Sequence, residues 1–430
     1  MAIGYFLVGV YVLVGFWLIP QLPFIKKAGL SKKELRLLLA FKMICSLLGA
    51  FYLGKFIYSD YVVYNAEGKL QYDLLLKNPQ LFFTDFTGDL KTYGPGRLFE
   101  TKDSFWGYLR FSLLYKFLAI LNIITKGNFY LNTILFSSFV FFGHIAFYRI
   151  YSELYKGHKL KILFTCFLLP SVLLYTSCVH KDGLIFIAIG ITSYVFHRIL
   201  QAYKPLSIKY IFCFVLSCAI IFLFRNYVVV AIIPAIIAAL LCKVFHVKKK
   251  WVLIISYSIF SVLFFLSGFN KSPLNLPAAV AARKADFATL ESGNTTIAMN
   301  DLQPTFKSFV LNLPQAINHS LMRPYLWEFP QPAVLLTAIE LFFYQMIIVL
   351  FIFYRKTPTA PLHIFNIFGL LFVFNMMLII GYTIPNLGAI VRYRSIFWVF
   401  IICPAMCNID WQRLLPFQKV TAENDTVKKG

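Results

Sequence analysis

Long apolar runs recur along almost the whole chain, and nothing else in the sequence restricts the fold as strongly. A helix crossing hydrocarbon needs about 20 mainly apolar residues, because each backbone amide must find its partner inside the segment. Such runs, or near misses, occupy roughly 3–23, 37–58, 129–148, 162–179, 183–200, 209–224, 227–243, 251–269, 333–354, 361–382 and 392–410. They predict an all-α, polytopic transmembrane helix bundle of about eleven spans, one integral membrane domain over 1–430. The first run follows Met1 with no basic region and no small-residue cleavage site. It is expected to be a retained span rather than a signal peptide.

Composition agrees. Hydrophobic residues make up 59% and charged residues 14%, against about 45–50% and about 25% in soluble domains. That balance excludes a soluble enzyme, a disordered chain and a fibrous one. The formal net charge of +23 would suggest nucleic acid in a soluble domain. In a polytopic chain it is the expected excess of Lys and Arg in cytoplasmic loops, and no nucleic-acid partner is expected. Several of the eight cysteines, such as Cys45, Cys166, Cys213 and Cys218, lie inside apolar runs, and no CxxC pair occurs. Neither a disulfide framework nor a metal site is expected.

Charge also sets the orientation. Basic stretches at 26–36, 149–161, 198–209, 243–250 and 355–356 follow alternate spans, and the tail adds Arg413, Lys419, Lys428 and Lys429. All fall on one side only if a twelfth apolar run, 105–124, does not cross. That run carries Arg110 and Lys116 and is therefore expected to be an interfacial or re-entrant helix. The N-terminus is then outside and the C-terminus cytoplasmic. Two long connections remain on the outer face, 59–128 and 270–332. Connections of that length in a compact domain are commonly functional. The first is rich in acids, among them Asp73, Asp85, Asp89, Glu100 and Asp103, and has a Gly94-Pro95-Gly96 turn. The second has helical stretches at 278–290 and 304–321. Both are expected to fold as helical caps.

Charges beside apolar runs are costly and are functional candidates by default. Five groups stand on the expected outer side. Pro170 to Gly183 joins two apolar helices and sets His180, Lys181 and Asp182 in succession. Arg225 lies between two apolar runs and is expected to face a cavity. The segment 318–328 carries His319, Arg323 and Glu328. The segment 382–394 ends in Arg392 and Arg394. On a helix these two diverge by about 200°, but Pro385 and Gly388 permit a non-helical start that puts them on one side. Asp60 follows the second span directly. Lys42, Lys55 and Glu340 lie inside spans, where packing partners explain them.

Forked guanidiniums suit phosphate oxygens, and two Arg in three residues oppose the positive-inside trend. The outer face thus gathers cations with a few acids and histidines. Cations would hold a leaving diphosphate, and a carboxylate or His would take the proton of an incoming sugar hydroxyl. The expected activity is glycosyl transfer from a polyprenyl-diphosphate-linked glycan donor to a glycan acceptor. Asp60 or His319 is the expected base, with Asp182 a further catalytic carboxylate. Arg225, Arg392 and Arg394 are expected to bind the diphosphate, assisted by Lys181, with His180, Arg323 and Glu328 in the same binding set.

The segment PSVLLYTSCVHKDGLIFIAIGI resembles the Pro-Ser…Ser-Gly…Lys-Glu/Asp signature of bacterial polysaccharide polymerases of the EpsG/Wzy type. Asp60 and Tyr64 are similar to the start of their first outer loop, and YTIPNLGAIVRYR to their Arg-bearing last outer segment. The resemblance implies a glycosyltransferase C-type scaffold in the bacterial inner membrane. It also implies polymerisation or transfer of lipid-linked units on the periplasmic side, with other polysaccharide-assembly proteins as partners. The chain departs from that pattern at Cys178-Val179-His180, where the family has Gly before Lys. No Asp-Xaa-Asp metal pair occurs in the first outer loop, so no cofactor is expected. Two other classes use the same features: a flippase or transporter of lipid-linked oligosaccharide, and an assembly subunit binding a partner through the outer caps. The one-sided charge and the lack of an apparent inverted repeat weigh against the flippase.

Overall fold

The computed structural model describes residues 2–55, 59–86, 105–201, 207–245, 249–269, 274–289, 295–328, 332–356 and 363–414. Asp89, Glu100, Asp103, the Gly94-Pro95-Gly96 turn, Lys419, Lys428 and Lys429 lie outside these residues. The described residues form helices joined by turns, with isolated bridges and no strand. In chain order the main helices are α1 (Ala2–Leu18), α2 (Lys32–Leu53), α3 (Asp60–Lys77), α4 (Pro79–Thr84), α5 (Phe105–Thr125) and α6 (Phe129–Leu154). Then come α7 (Lys159–Phe167), α8 (Pro170–Ser177), α9 (Lys181–Gln201), α10 (Ile208–Val244), α11 (Lys249–Leu266), α12 (Leu276–Ala288) and α13 (Phe306–Ile317). The chain closes with α14 (Pro332–Phe353), α15 (Ile364–Thr383), α16 (Leu387–Ser395) and α17 (Val399–Asn408). Among the described residues, eight helices are long and apolar enough to cross a membrane, or ten if each bent pair is one span. The protein is a multi-pass membrane protein.

Breaks in these helices follow from sequence. α7 and α8 bend by 43° where Pro170 starts the second helix. A proline at the first helical position needs no amide partner, but it cannot continue the helix before it. α16 and α17 bend by 62°. α10 is broken at Arg225, whose φ of −150° and ψ of 75° leave the helical region. Its 208–224 arm packs Ser217 on Thr192 and Tyr210 on Tyr194 of α9. Its 226–244 arm returns, with Lys243 reaching the Ile199 carbonyl near the far end of α9. α10 is thus a hairpin with Arg225 at its apex, and both runs expected from sequence are present in it.

The core sits where α6, α8, α9, α10, α15 and α17 pack together. α6 and α9 approach closely because glycine faces glycine. A Cβ on Gly190 would stand 3.1 Å from the Gly143 carbonyl, and one on Gly183 2.5 Å from the Phe136 ring. Small residues allow such backbone approach in membrane bundles. The Gly183 contact fixes the start of α9, and with it His180 to Asp182, beside α6.

Both long connections contain helices. In the first, α3 runs alongside α5: a Cβ on Gly68 would stand 2.7 Å from Leu118, and Asn122 donates to the Gly68 carbonyl. Asn65, Asn122, Thr125 and Asn132 form a buried network that ties α3 and α5 to α6. α5 is one of the eight apolar helices. Its Trp106 meets Phe222 of α10, its Phe111 ring lies 5.3 Å from Lys181 Nζ, and its Phe117 meets Phe139 of α6. In the second connection, α12 and α13 flank a segment stitched to the start of α16. Ile297 donates to the Pro385 carbonyl, and Leu387 donates to Thr295.

Candidate functional site

The start of α9 is the hub of the described charges. Asp182 is buried, with 1% of its side chain exposed. Its Oδ1 accepts from Arg225 Nη2 at the α10 apex. Its Oδ2 lies 2.9 Å from His180 Nδ1 and 3.6 Å from Arg392 Nε. His180 is wholly buried, and its Nε2 lies 3.3 Å from Asp60 Oδ2. Arg392 Nη1 donates to that same Asp60 oxygen at 3.2 Å. Five groups from four distant segments therefore interleave two carboxylates with two guanidiniums and an imidazole, and no described segment but α9 and its preceding turn supplies more than one.

Aromatic rings wall this cluster. Tyr61 and Tyr64, one turn apart on α3, pack on the His180 ring at 5.1 and 5.5 Å. The Arg225 guanidinium stands 3.8 Å from the Tyr393 ring and donates to the Tyr227 hydroxyl at 2.9 Å. Desolvated cation–π contacts of this kind are worth about 2 kcal/mol. Burial pushes the Tyr61 and Tyr64 phenols well up, so both stay neutral. The His180 hydrogen bond, with the charges of His180, Arg392 and Lys181, holds Asp60 below the usual carboxylate range against the opposing effect of burial.

The two carboxylates differ in what they offer. Asp182 is enclosed and surrounded by His180, Arg225 and Arg392, so it has no face for a substrate. Asp182, expected as a further catalytic carboxylate, is thus held wholly among these three partners. Asp60 keeps 46% of its side chain exposed and remains ionised. It is the carboxylate of the cluster that keeps an open face.

The remaining expected residues lie elsewhere. α16 is helical through both arginines, so Arg392 and Arg394 do not share a side. Arg394 is buried and donates to the Ser320 and Arg323 carbonyls at 2.8 and 2.6 Å. It holds the π-helical turn Asn318–Met322. Arg323 pairs with Glu328, five residues on, and Glu328 also accepts from the Tyr325 amide. His319 is buried with no hydrogen-bond partner for Nδ1. Burial and then the Arg323 charge push its pKa down to about 4. No described ion pair or hydrogen bond joins this turn to the Asp182 cluster. Glu340, inside α14, accepts from the Ser171 amide and Tyr344 hydroxyl, and Lys42 reaches Thr176 and Ser177. Packing partners account for both, as expected.

Sequence reading missed two cations. Arg110 of α5 lies 4.9 Å from the Phe111 ring, and Arg283 of α12 stands 3.9 Å from the Tyr227 ring. In the sequence Arg110 stands as an obstacle to spanning, and the cost of a cation in an apolar helix is itself a functional signal. Arg283 sits among Lys284 and Asp286 on a polar helix, and nothing local distinguishes it. Among the described residues no group of three or more His, Cys, Asp or Glu has a metal-holding arrangement.

No family model matches the chain, and neither a curated protein nor a solved structure matches it.

Proposed function

We propose that the protein is a membrane glycosyltransferase acting on polyprenyl-diphosphate-linked glycan at the outer leaflet, as a polymerase or ligase of surface polysaccharide. The observation that carries this reading is one half-exposed, ionised carboxylate, Asp60, set between His180 and Arg392 at one end of a helix bundle. Asp60 takes the proton of the acceptor hydroxyl as its oxygen bonds to the anomeric carbon of the donor. The bond from that carbon to the diphosphate breaks, and the diphosphate leaves with the electron pair. Cations at the site offset the charge that develops on it. His180 and Arg392 orient Asp60, and Asp182 orients both His180 and Arg225.

The same reading has eleven crossings: both arms of α10 count, each bent pair counts once, α1 crosses and α5 does not. Contacts of α5 support its lying in the interface. Gly183 abuts Phe136 and Val140, so the start of α9 is level with Phe139. Trp106, Phe111 and Phe117 touch α10, α9 and α6 near that level. The N-terminal half of α5 therefore runs across the bundle. Its partner α3 carries Glu67, Lys69, Asp73 and Lys77, which belong in water rather than hydrocarbon. The site then faces the outside of a bacterial inner membrane, with the C-terminus cytoplasmic.

The test is replacement of the gene in its source organism by an Asp60→Asn copy at equal expression. Surface-polysaccharide chain length and the leaflet of lipid-linked units are then measured. Expected is loss of long chains with single units held on the outer leaflet. Units trapped on the inner leaflet would transfer the assignment to a flippase. Unchanged glycans would transfer it to a partner-binding subunit of the assembly machinery.

A further inference from the structure

Arg225 and Arg392, the cations first expected to hold the diphosphate, are already matched by Asp182 and Asp60. Any phosphate reaching them must compete with those carboxylates. Three other cations at the same end have no such match. Lys181, Arg110 and Arg283 form no ion pair with a carboxylate among the described residues. Lys181 opens α9, Arg110 lies on α5 and Arg283 on α12, so each of the two caps and the bundle supplies one.

These three surround the ring of tyrosines beside the cluster. Lys181 and Arg110 both lie near the Phe111 ring, at 5.3 and 4.9 Å. Arg283 stacks on Tyr227, whose hydroxyl accepts from Arg225. Arg110 is within electrostatic reach of Arg283, and Lys181 of Arg110. The Arg110 Nε is buried with no hydrogen-bond partner. Three like charges held together repel, and Asp60, the carboxylate within electrostatic reach of Lys181, is itself already paired with Arg392. A multiply charged anion offsets that repulsion, and two guanidiniums with an ammonium suit the oxygens of a diphosphate.

We infer that Arg110, Lys181 and Arg283 form a diphosphate seat closed between the two caps, beside but separate from the Asp60–His180–Asp182–Arg225–Arg392 cluster. This rests on the transferase reading and deepens it. The matched pairs position the base, and the unmatched cations hold the leaving group. The geometry also gives the caps a task, because neither cap alone carries more than one of the three cations.

The test is direct binding to the full-length protein in detergent, with inorganic pyrophosphate and farnesyl diphosphate as probes. Wild type is compared with Arg110→Ala, Lys181→Ala and Arg283→Ala, and with Lys209→Ala, an exposed cation far from the site. Arg110→Lys and Arg283→Lys serve if an alanine variant unfolds, and thermal unfolding checks each protein. Removing one charge-assisted contact should weaken both probes about tenfold or more, with Lys209→Ala unchanged. Tighter binding of the prenyl probe assigns the seat to a lipid headgroup, and equal binding assigns it to free diphosphate. Affinity unchanged in the three alanine variants, or no binding by wild type, would overturn the seat and leave the Asp60 reading to the cell assay. Loss of binding in those variants, with normal polysaccharide from an Asp60→Asn strain, would keep the seat and remove the transferase.

Discussion

Two turns at the same end of the protein carry similar residues and are built in opposite ways. The turn before α9 brings His180 and Asp182 to Asp60, Arg225 and Arg392, and Asp60 and Arg392 are themselves 332 residues apart. The turn after α13 pairs Arg323 with Glu328 only five residues on, and spends Arg394 on two backbone carbonyls. In the first, charges substitute for one another's hydration across four segments and leave one carboxylate face open. In the second, they satisfy the ends of a local turn. An arginine, an acid and a histidine close in sequence therefore do not define a site; convergence from distant segments around an open group does.

The comparison is sharpest where removal hurts most. Asp182→Ala strands Arg225 and His180 in a buried setting, and breaking a buried pair from one side costs about 3–5 kcal/mol. Thermal unfolding in detergent should show that loss, together with loss of transfer. Asp60→Asn should retain the fold and lower transfer by about 10²–10⁴, measured as polymer formed by protein at equal expression. Arg394→Lys keeps the charge but loses the Nη1 bonds to the Ser320 and Arg323 carbonyls, and should cost about 1–3 kcal/mol with transfer reduced only as the fold weakens. The double change Arg323→Ala/Glu328→Ala should cost about 1 kcal/mol or less. If it abolished transfer as Asp60→Asn does, the distinction between the turns would collapse.

A pH dependence separates the two turns as well. His319 is neutral in the folded state down to about 4, while an unfolded His takes its proton near about 6.5. Between those values the unfolded chain binds more protons, so stability falls as pH drops from the upper to the lower. His319→Leu should flatten that part of the unfolding-temperature curve. Asp60 acts in the other window. Its folded pKa is depressed, so its contribution is complete above the unfolded value of about 3.9 and fades as pH falls below it. Asp60→Asn should remove the acid-side decline without changing the one belonging to His319.

Much of this was legible in the chain. Proline at 170, the run of His180, Lys181 and Asp182, and the isolated Arg225 each broke an apolar pattern where hydrocarbon tolerates no break. Asp60 stood at the end of a span for the same reason. Less legible was the ranking within the cluster. Lys181 and Asp182 are adjacent, yet Asp182 is the enclosed hub and Lys181 stays unmatched, because the first turn of a helix points its residues in different directions. Arg392 and Arg394 look like one feature in sequence and serve two, since α16 stays helical through both. Arg110 and Arg283 acquire meaning only when the caps fold over α9.

By itself the sequence determined that this protein is a multi-pass helical membrane protein, since backbone amides in hydrocarbon have no partners but their own helix. It also determined where costly charges lie, because apolar runs make each exception visible. Only the tertiary structure decided which exceptions meet. Pairing Asp60 with Arg392, or Asp182 with Arg225, depends on the close approach of α6 and α9 and on the reversal of α10 at Arg225. Those arrangements bring charges from distant segments together, and no local pattern encodes which segments meet.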